Sequence, residues 1–193
     1  MSGAVTAESG PSHPGSSPVT IVVMGVTGVG KSTAMHALAH RLGWPTAEGD
    51  EFHSPANVEK MRSGYPLTDE DRGPWLAAIA AWIGEQETAA TPAIVTCSAL
   101  KRAYRDLLRQ GHPSVWFAHL VVPRPLIADR LERRTSHYMP ASLLTSQLEA
   151  LEALDPDEPG AVIAADRPAS EVVADILTRL NCETSRASGR PEG

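Results

Sequence analysis

Short apolar runs alternate with helical repeats along most of this chain. The runs predict five short strands, at residues 19–24, 45–50, 92–97, 115–122 and 161–165. Between them, apolar residues recur every three or four positions, which predicts helices that pack one face against a sheet. This alternation of strands and helices predicts an α/β fold with three layers around a mostly parallel, five-stranded sheet.

The predicted helices have clear end signals. The first begins at about Lys31 and ends at Gly43, which suits a helix C-terminus. Ser54 and Thr68 are suited to cap the next two helices. A last amphipathic helix begins near Pro168. The third predicted helix buries the stripe Trp75, Leu76, Ile79, Ala80 and Ile83.

The first predicted strand runs directly into a glycine-rich loop that ends in Lys-Ser and opens a helix. Such a loop turns successive backbone N–H groups toward a phosphate, and the helix dipole favours an anion at the same point. Lys31 then spans the β- and γ-phosphates of ATP, and the Ser32 hydroxyl binds Mg²⁺. The predicted nucleotide-binding residues of the loop are Gly25, Thr27, Gly28, Val29, Gly30, Lys31, Ser32 and Thr33.

Asp50 ends the second predicted strand. In an open α/β sheet the carboxyl ends of the strands face the ligand, so Asp50 should lie near the phosphate loop. There it can accept the proton of an acceptor hydroxyl or hold that hydroxyl in line, and the sequence leaves both roles open. The alternative is a carboxylate that contacts only solvent, or water bound to Mg²⁺.

A basic helix within residues 124–134 is interrupted by residues 137–140, after which the apolar repeat resumes. Two helices joined by an arginine-bearing connection predict a helical lid, at about residues 124–150, that closes over ATP. Arg130 or Arg134 would supply positive charge for the migrating phosphoryl group. The alternative for both is an exposed helix face, with Glu132 as an ion-pair partner.

Length, charge and cysteine content restrict the number of domains, the partners and the location that we expect for this chain. The 193 residues suffice for one domain, predicted at residues 19–181 between flexible tails at 1–18 and 182–193. A formal net charge of −6 argues against broad nucleic-acid binding. Cys97 and Cys182 form no C-x-x-C pair, which predicts a reducing, cytoplasmic location. Neither a membrane-spanning run nor a signal-peptide pattern is visible in the sequence.

Several short motifs follow one another in order between residues 19 and 180. They are Gly25-Val26-Thr27-Gly28-Val29-Gly30-Lys31-Ser32, Gly49-Asp50-Glu51-Phe52-His53, Asn57 with Lys60-Met61, Gly64 with Pro66-Leu67, Asp69 with Asp71-Arg72 and Pro74-Trp75, Cys97-Ser98-Ala99-Leu100-Lys101 with Tyr104-Arg105-Asp106, and His137-Tyr138-Met139-Pro140 with Leu143-Leu144 and Ser146-Gln147. Each motif is weak alone, but their order and spacing together are specific. Together they resemble the gluconokinase family.

The resemblance implies transfer of the γ-phosphoryl group of ATP to the 6-hydroxyl of D-gluconate, on a fold like that of adenylate and shikimate kinases. It implies ATP and Mg²⁺ as cofactors, D-gluconate as the small-molecule partner and a homodimer. Lys31, Asp50 and Arg134 would be catalytic, with Asp50 also contacting Mg²⁺ through water and Arg130 and Arg134 contacting the nucleotide. The implied substrate-binding residues are Asp50, His53, Arg72, Lys101, Arg105, His137 and Gln147. The sequence leaves open which of Arg72 and Arg105 contacts the substrate carboxylate and which only positions Asp50 or a loop.

Departures from the family pattern are small. Val29, Glu48 and Tyr138 stand where the family often has Ser, Asp and Phe. Two alternatives remain at this point: another small-molecule kinase of the same fold, and a nucleotide-binding regulator without turnover. A shikimate-kinase-like chain would be expected to carry a Gly-Gly pair after the third strand, where this chain has Cys97-Ser98-Ala99-Leu100.

Overall fold

The computed structural model describes residues 18–132 and 141–188 of the chain. The predictions for Arg134, for His137 and for nearly all of the N-terminal tail therefore lie outside the described residues. The two predicted lid helices are present, and the connection between them also lies outside the described residues.

Five parallel strands form one sheet in the order β2-β3-β1-β4-β5. The sheet confirms the predicted α/β architecture, and the pairs that the described residues form are all parallel. The strands are β1 (Thr20–Met24), β2 (Thr46–Ala47), β3 (Ala93–Cys97), β4 (Val115–Val121) and β5 (Gly160–Ala164).

Helices cover both faces of this sheet, as the apolar runs of the strands predict. They are α1 (Lys31–Leu42), α2 (Pro55–Arg62), α3 (Asp69–Thr88), α4 (Arg102–Arg109), α5 (Arg124–Glu132), α6 (Ala141–Ala150) and α7 (Ala169–Ser188). The end signals are confirmed at three of them. Gly43 ends α1 in a left-handed conformation, Ser54 caps α2, and Thr68 forms a capping box with Asp71 at the start of α3.

The central strand β1 belongs to two hydrophobic cores, because its side chains alternate between the faces of the sheet. Ile21 and Val23 pack with α1 and α7, whereas Val22 and Met24 pack with α3 and α4. All four side chains are fully buried. The phosphate loop therefore extends from the best-buried strand of the molecule.

The second predicted strand is shorter than its sequence suggests. Only Thr46 and Ala47 pair with β3, and Gly49–Phe52 form a 3₁₀ turn. The backbone groups of Gly49 bond to the side chains of Thr96 and Trp75 instead of to a strand ladder. Asp50 thus lies in this turn and not at the tip of a strand.

The last helix is longer than predicted. Helix α7 continues to Ser188, so the boundary at residue 181 and the start of the C-terminal tail at residue 182 were wrong. Beyond the apolar stripe of this helix, the indole Nε1 of Trp116 donates to Glu183 Oε2 over 2.5 Å. Among the described residues, no helix has both the length and the apolar character needed to cross a membrane.

Candidate active site

The phosphate loop links β1 to α1 and leaves the start of α1 open to an anion. Gly30 precedes the helix without a side-chain cap, and the first turn of α1 carries no acidic residue. The first N–H groups of the helix therefore have no capping side chain to compete with a phosphate. Gly28 has a φ of +82°, and a Cβ there would lie 2.9 Å from the side chain of Ile127, so the loop requires glycine at this position.

Lys31 folds back across this loop. Its Nζ donates to the carbonyl oxygens of Gly25 and Val26, each at 3.1 Å. The ammonium group is thereby held over the loop, on the side where β- and γ-phosphates would bind. Ser32 and Thr33 follow at the exposed start of α1.

Asp50 lies at the same edge of the sheet. The buried thiol of Cys97, at the end of β3, is influenced by the charges of Lys31, Asp50 and Arg72 together. Burial is the main influence and raises the pKa of this thiol to about 12, so Cys97 is unreactive. Asp50 itself is exposed and available to a ligand.

An aromatic wall lies next to Asp50. The imidazole of His53 stacks on the indole of Trp75, with ring centroids 4.3 Å apart. The guanidinium of Arg72 lies 6.0 Å from the ring centroid of Trp75 and 5.8 Å from that of Tyr104. It has no ion-pair partner among the residues that the structure describes. A cation held on aromatic faces without a carboxylate partner is suited to bind an anionic ligand.

His53 is neutral at physiological pH. Burial is the main cause that lowers its pKa below the ordinary 6.5; Arg72 lowers it further, and Asp50 opposes the shift. Its Nδ1 is buried and has no hydrogen-bond partner within the described part of the chain. A neutral imidazole with an unpaired nitrogen can bind a hydroxyl group as donor or acceptor.

Lys101 and Tyr104 meet at one carboxylate. Lys101 Nζ donates to both oxygens of Asp69 at 2.8 Å, and the Tyr104 hydroxyl donates to Asp69 over 2.5 Å. The pKa of Asp69 is lowered, chiefly by the hydrogen bond from Lys101. Lys101 thus lies beside Tyr104 and Arg72, although its charge is already paired.

Arg105 does not line the pocket, contrary to the prediction. Its side chain is fully buried, and its guanidinium donates to both oxygens of Glu158, at 2.7 and 2.8 Å. The other donors bond to backbone carbonyl oxygens, so no N–H group remains for a substrate. These carbonyl partners are Ala99, Leu100, Glu152 and Ala153.

A cleft of about 350 Å³ lies on the other side of the phosphate loop. Arg130, predicted to contact the nucleotide, lines it and donates to the carbonyl oxygens of Val29 at 3.0 Å and Ala165 at 2.9 Å. Arg167 also lines the cleft, and sequence reasoning missed it. Its place just after β5 was the available signal, because strand ends face the ligand in such sheets.

Gln147 on α6 contacts the phosphate loop directly. Its Oε1 accepts a hydrogen bond of 2.8 Å from the backbone N–H of Thr27. The structure therefore brings Gln147 to the loop, whereas His53 and Arg72 gather with Asp50. The predicted lid residues Arg134 and His137 lie outside the described residues.

Comparisons with known proteins agree with this geometry. A family model described as an AAA domain matches residues 20–154. The gluconokinase of Gluconobacter oxydans (strain 621H) is 47% identical to this chain over 169 residues, which cover 88% of this chain and 95% of that protein.

Solved structures extend the comparison to the fold. A gluconokinase from Sinorhizobium meliloti 1021 has a TM-score of 0.79 at 42% identity and covers 90% of this chain and 99% of its own. A shikimate kinase from Aquifex aeolicus vf5 has a TM-score of 0.62 at 16% identity, with 86% and 98% covered, and this likeness shows the fold alone. The predicted kinase fold is confirmed.

Proposed function

Because this chain belongs to the gluconokinase family, we propose that it transfers the γ-phosphoryl group of ATP to the 6-hydroxyl of D-gluconate, giving 6-phosphogluconate and ADP. One observation carries the assignment of roles. The charges of Lys31, Asp50 and Arg72 all reach the thiol at the end of β3, so a phosphate-binding cation, an exposed carboxylate and a guanidinium without an ion-pair partner in the described part of the chain lie near one edge of the sheet. Phosphoryl transfer to a hydroxyl on an acidic sugar needs these three groups.

Asp50 orients the acceptor hydroxyl and accepts its proton as the new O–P bond forms. Lys31 stabilises the charge that develops between the β- and γ-phosphates. Arg134 and His137 lie outside the described residues; the family resemblance implies that Arg134 supplies positive charge for the transfer and that His137 binds the substrate. Gln147, which bonds to the N–H of Thr27, links α6 to the loop that holds the phosphates.

Arg72 binds the carboxylate of gluconate. The guanidinium of Arg105 is fully occupied by Glu158 and by backbone carbonyl groups, whereas Arg72 has no ion-pair partner among the residues that the structure describes. A planar guanidinium can bind both oxygens of a carboxylate at once. His53, stacked on Trp75, contacts the sugar from the wall of the pocket, and Lys101 lies at the rim of the same pocket.

ATP binds with its phosphates on the loop and its base in the cleft between Arg130 and Arg167. Mg²⁺ supplies charge neutralisation of the phosphates. The Ser32 hydroxyl would hold the ion, and Asp50 would contact it through a water molecule. Oxygen donors of this kind fit Mg²⁺, which keeps several waters and needs few protein ligands.

The remaining parts of the proposal concern the setting of the reaction. We infer a cytoplasmic enzyme of carbohydrate metabolism that acts as a homodimer on a small molecule, without nucleic-acid or membrane partners. The free thiols of Cys97 and Cys182 support a reducing compartment. Support for the dimer comes from the family resemblance, and light scattering of the purified chain tests it.

A coupled assay of ADP release tests the reaction itself. The chain, with Mg·ATP, is given D-gluconate, shikimate, AMP and several other sugar acids in separate reactions. We expect turnover with gluconate and little with the others. Turnover with shikimate or AMP in place of gluconate would overturn the substrate assignment, and nucleotide binding without turnover on any acceptor would favour a regulator.

A further inference from the structure

In the turn that carries Asp50, the backbone N–H and carbonyl groups of the preceding residue, Gly49, both bond to side chains. The N–H of Gly49 donates to Thr96 Oγ1 at 3.0 Å, and the carbonyl oxygen of Gly49 accepts from Trp75 Nε1 at 2.6 Å. Thr96 lies on β3 and Trp75 on α3, so two separate elements fix the two peptide groups on either side of the Gly49 Cα. All of the atoms involved are buried or nearly so.

Glu48 determines which way the Thr96 hydroxyl points. Thr96 Oγ1 donates its single proton to Glu48 Oε2 at 2.6 Å, which leaves its lone pairs for the N–H of Gly49. A hydroxyl whose proton goes to a carboxylate is a better acceptor for a second bond, because linked hydrogen bonds polarise one another. The three groups therefore form one directed chain.

The turn also lies directly against β3. A Cβ at Gly49 would come within 2.0 Å of the carbonyl oxygen of Thr96, so residue 49 has no room to move toward the strand. Strand β2 ends at Ala47 and gives no further ladder bonds to the turn. The position of Asp50 thus depends on these side chains and not on strand pairing.

From this geometry we propose that Glu48, Thr96 and Trp75 form a clamp on Gly49 that positions the Asp50 carboxylate for phosphoryl transfer. The inference deepens the proposed function and rests on it. Glu48 and Thr96 are positioning residues, because they act through Asp50 and do not touch the substrate. Trp75 has a second role, since it also carries the stacked ring of His53.

A positioning role predicts a loss of rate with little loss of nucleotide binding. A misplacement of about 1 Å in a reacting group can lower the rate by roughly 10²-fold. Removing the Thr96 hydroxyl frees only the N–H of Gly49, because Trp75 still donates to the Gly49 carbonyl oxygen. We therefore expect Thr96→Val to lower kcat about tenfold or more, while the affinity for Mg·ADP and the KM for ATP stay within about twofold.

Four matched variants separate the effect of the hydroxyl from that of packing. Thr96→Ser keeps the hydroxyl and should restore most of kcat. Glu48→Gln keeps an oxygen that accepts from Thr96 and should also stay near the parent enzyme, whereas Glu48→Leu should lower kcat. Thr91→Val removes a threonine hydroxyl that bonds to the carbonyl oxygen of Ala89, away from the site, and should leave kcat unchanged. All rates are expressed per nucleotide site, counted by calorimetric titration with Mg·ADP, so that loss of folded protein is not read as loss of rate.

A double-mutant cycle with Asp50→Asn then tests whether Thr96 acts through Asp50. In that background Thr96→Val should have little further effect on kcat, because the group that it positions is already lost. Fully additive losses, or equal kcat for Thr96→Val and the parent, would overturn the clamp. If Asp50→Asn itself keeps normal turnover, the failure lies in the proposed role of Asp50 and not in the clamp alone.

Discussion

Two arginines of this chain were predicted to line one pocket, and the structure places them in contrasting surroundings. Arg72 lies half-buried on aromatic faces, beside Asp50 and without a carboxylate partner among the described residues. Arg105 is fully buried and bonds to both oxygens of Glu158. The same type of side chain is therefore proposed to bind a ligand in one region and stabilises the fold in the other, and the number of donors already in use distinguishes the two.

The region around Arg105 joins two parts of the chain. Arg105 donates to the carbonyl oxygens of Ala99 and Leu100 on one side and to those of Glu152 and Ala153 on the other. Ala99 has a φ of +43°, a left-handed conformation that costs a residue with a Cβ roughly 1–2 kcal/mol. The bonds from Arg105 help to hold that conformation, so this cluster fixes the loop after β3 to the segment that follows α6.

The largest effect is expected when the buried pair is broken. Arg105→Ala leaves Glu158 buried without its partner and should lower the free energy of unfolding by about 3–5 kcal/mol. Denaturant unfolding measures it. Arg109→Ala, on the same helix, removes only a 3.9 Å contact with Asp106 and should cost less than about 1 kcal/mol. If an Arg105 variant kept the stability of the parent and had a raised KM for gluconate, Arg105 would be a substrate-binding residue and not a structural one.

The next effect concerns chemistry. Asp50→Asn should lower kcat by about two orders of magnitude or more, because an amide cannot take the acceptor proton. The affinity for Mg·ADP should change by no more than a few fold, and stability should hold. Glu51→Gln, at the next exposed position of the same turn, is the control that should keep its kcat. A near-normal kcat in Asp50→Asn would remove Asp50 from the mechanism.

A third variant tests the carboxylate site. Arg72→Ala should raise the KM for gluconate by roughly 10- to 100-fold, the amount expected for loss of a charge-assisted bidentate contact. Nucleotide affinity should remain, and the free energy of unfolding should change little because Arg72 forms no ion pair with the residues that the structure describes. Arg72→Lys should recover part of the affinity, since it keeps the charge but not the planar fork. Equal KM values for gluconate in the parent and in Arg72→Ala would contradict the assignment.

The smallest effect comes from an ion pair at the start of α3, the helix that carries Arg72. Lys60 donates to Asp71, and this bond is the main cause that lowers the pKa of Asp71 to about 2 from the ordinary 3.8. A carboxyl with a depressed pKa contributes stability above the unfolded value, and loses it as the pH falls toward the folded value. The Tm of Asp71→Asn should therefore depend less on pH between about 4 and 2 than that of the parent.

The partly exposed position of this pair explains why the effect is small, in contrast to the fully buried pair of Arg105 and Glu158. Glu70→Gln, in the same helical turn and exposed, serves as the control and should leave the acid limb of the Tm curve as it is. Identical acid limbs for Asp71→Asn and the parent would show that the Lys60 contact contributes nothing in solution.

Much of the fold follows from local patterns in the sequence. Apolar runs gave the five strands, and the capping residues Gly43, Ser54 and Thr68 marked helix ends because each acts on its own neighbours. The phosphate loop could also be predicted, since its glycines and Lys31 all belong to one short segment of the chain. These features need no knowledge of what lies across the sheet.

Features that depend on distant residues were harder to predict. The turn at Asp50 is shaped by Thr96 and Trp75, 47 and 26 residues beyond Gly49. The burial of Arg105 depends on Glu158, 53 residues away. A motif shows that such residues occur together, but it cannot show whether an arginine faces a ligand or a carboxylate of its own chain.

Strand β1 belongs to both hydrophobic cores, so the ability to bind nucleotide depends on the folding of the whole domain. Since β1 has both faces covered and carries the phosphate loop at its end, separation of either helical layer would release the strand and the loop together. Amide protons of Ile21 to Met24 should therefore exchange with deuterium only when the whole domain opens, so that their protection directly reports the fraction of molecules able to bind nucleotide.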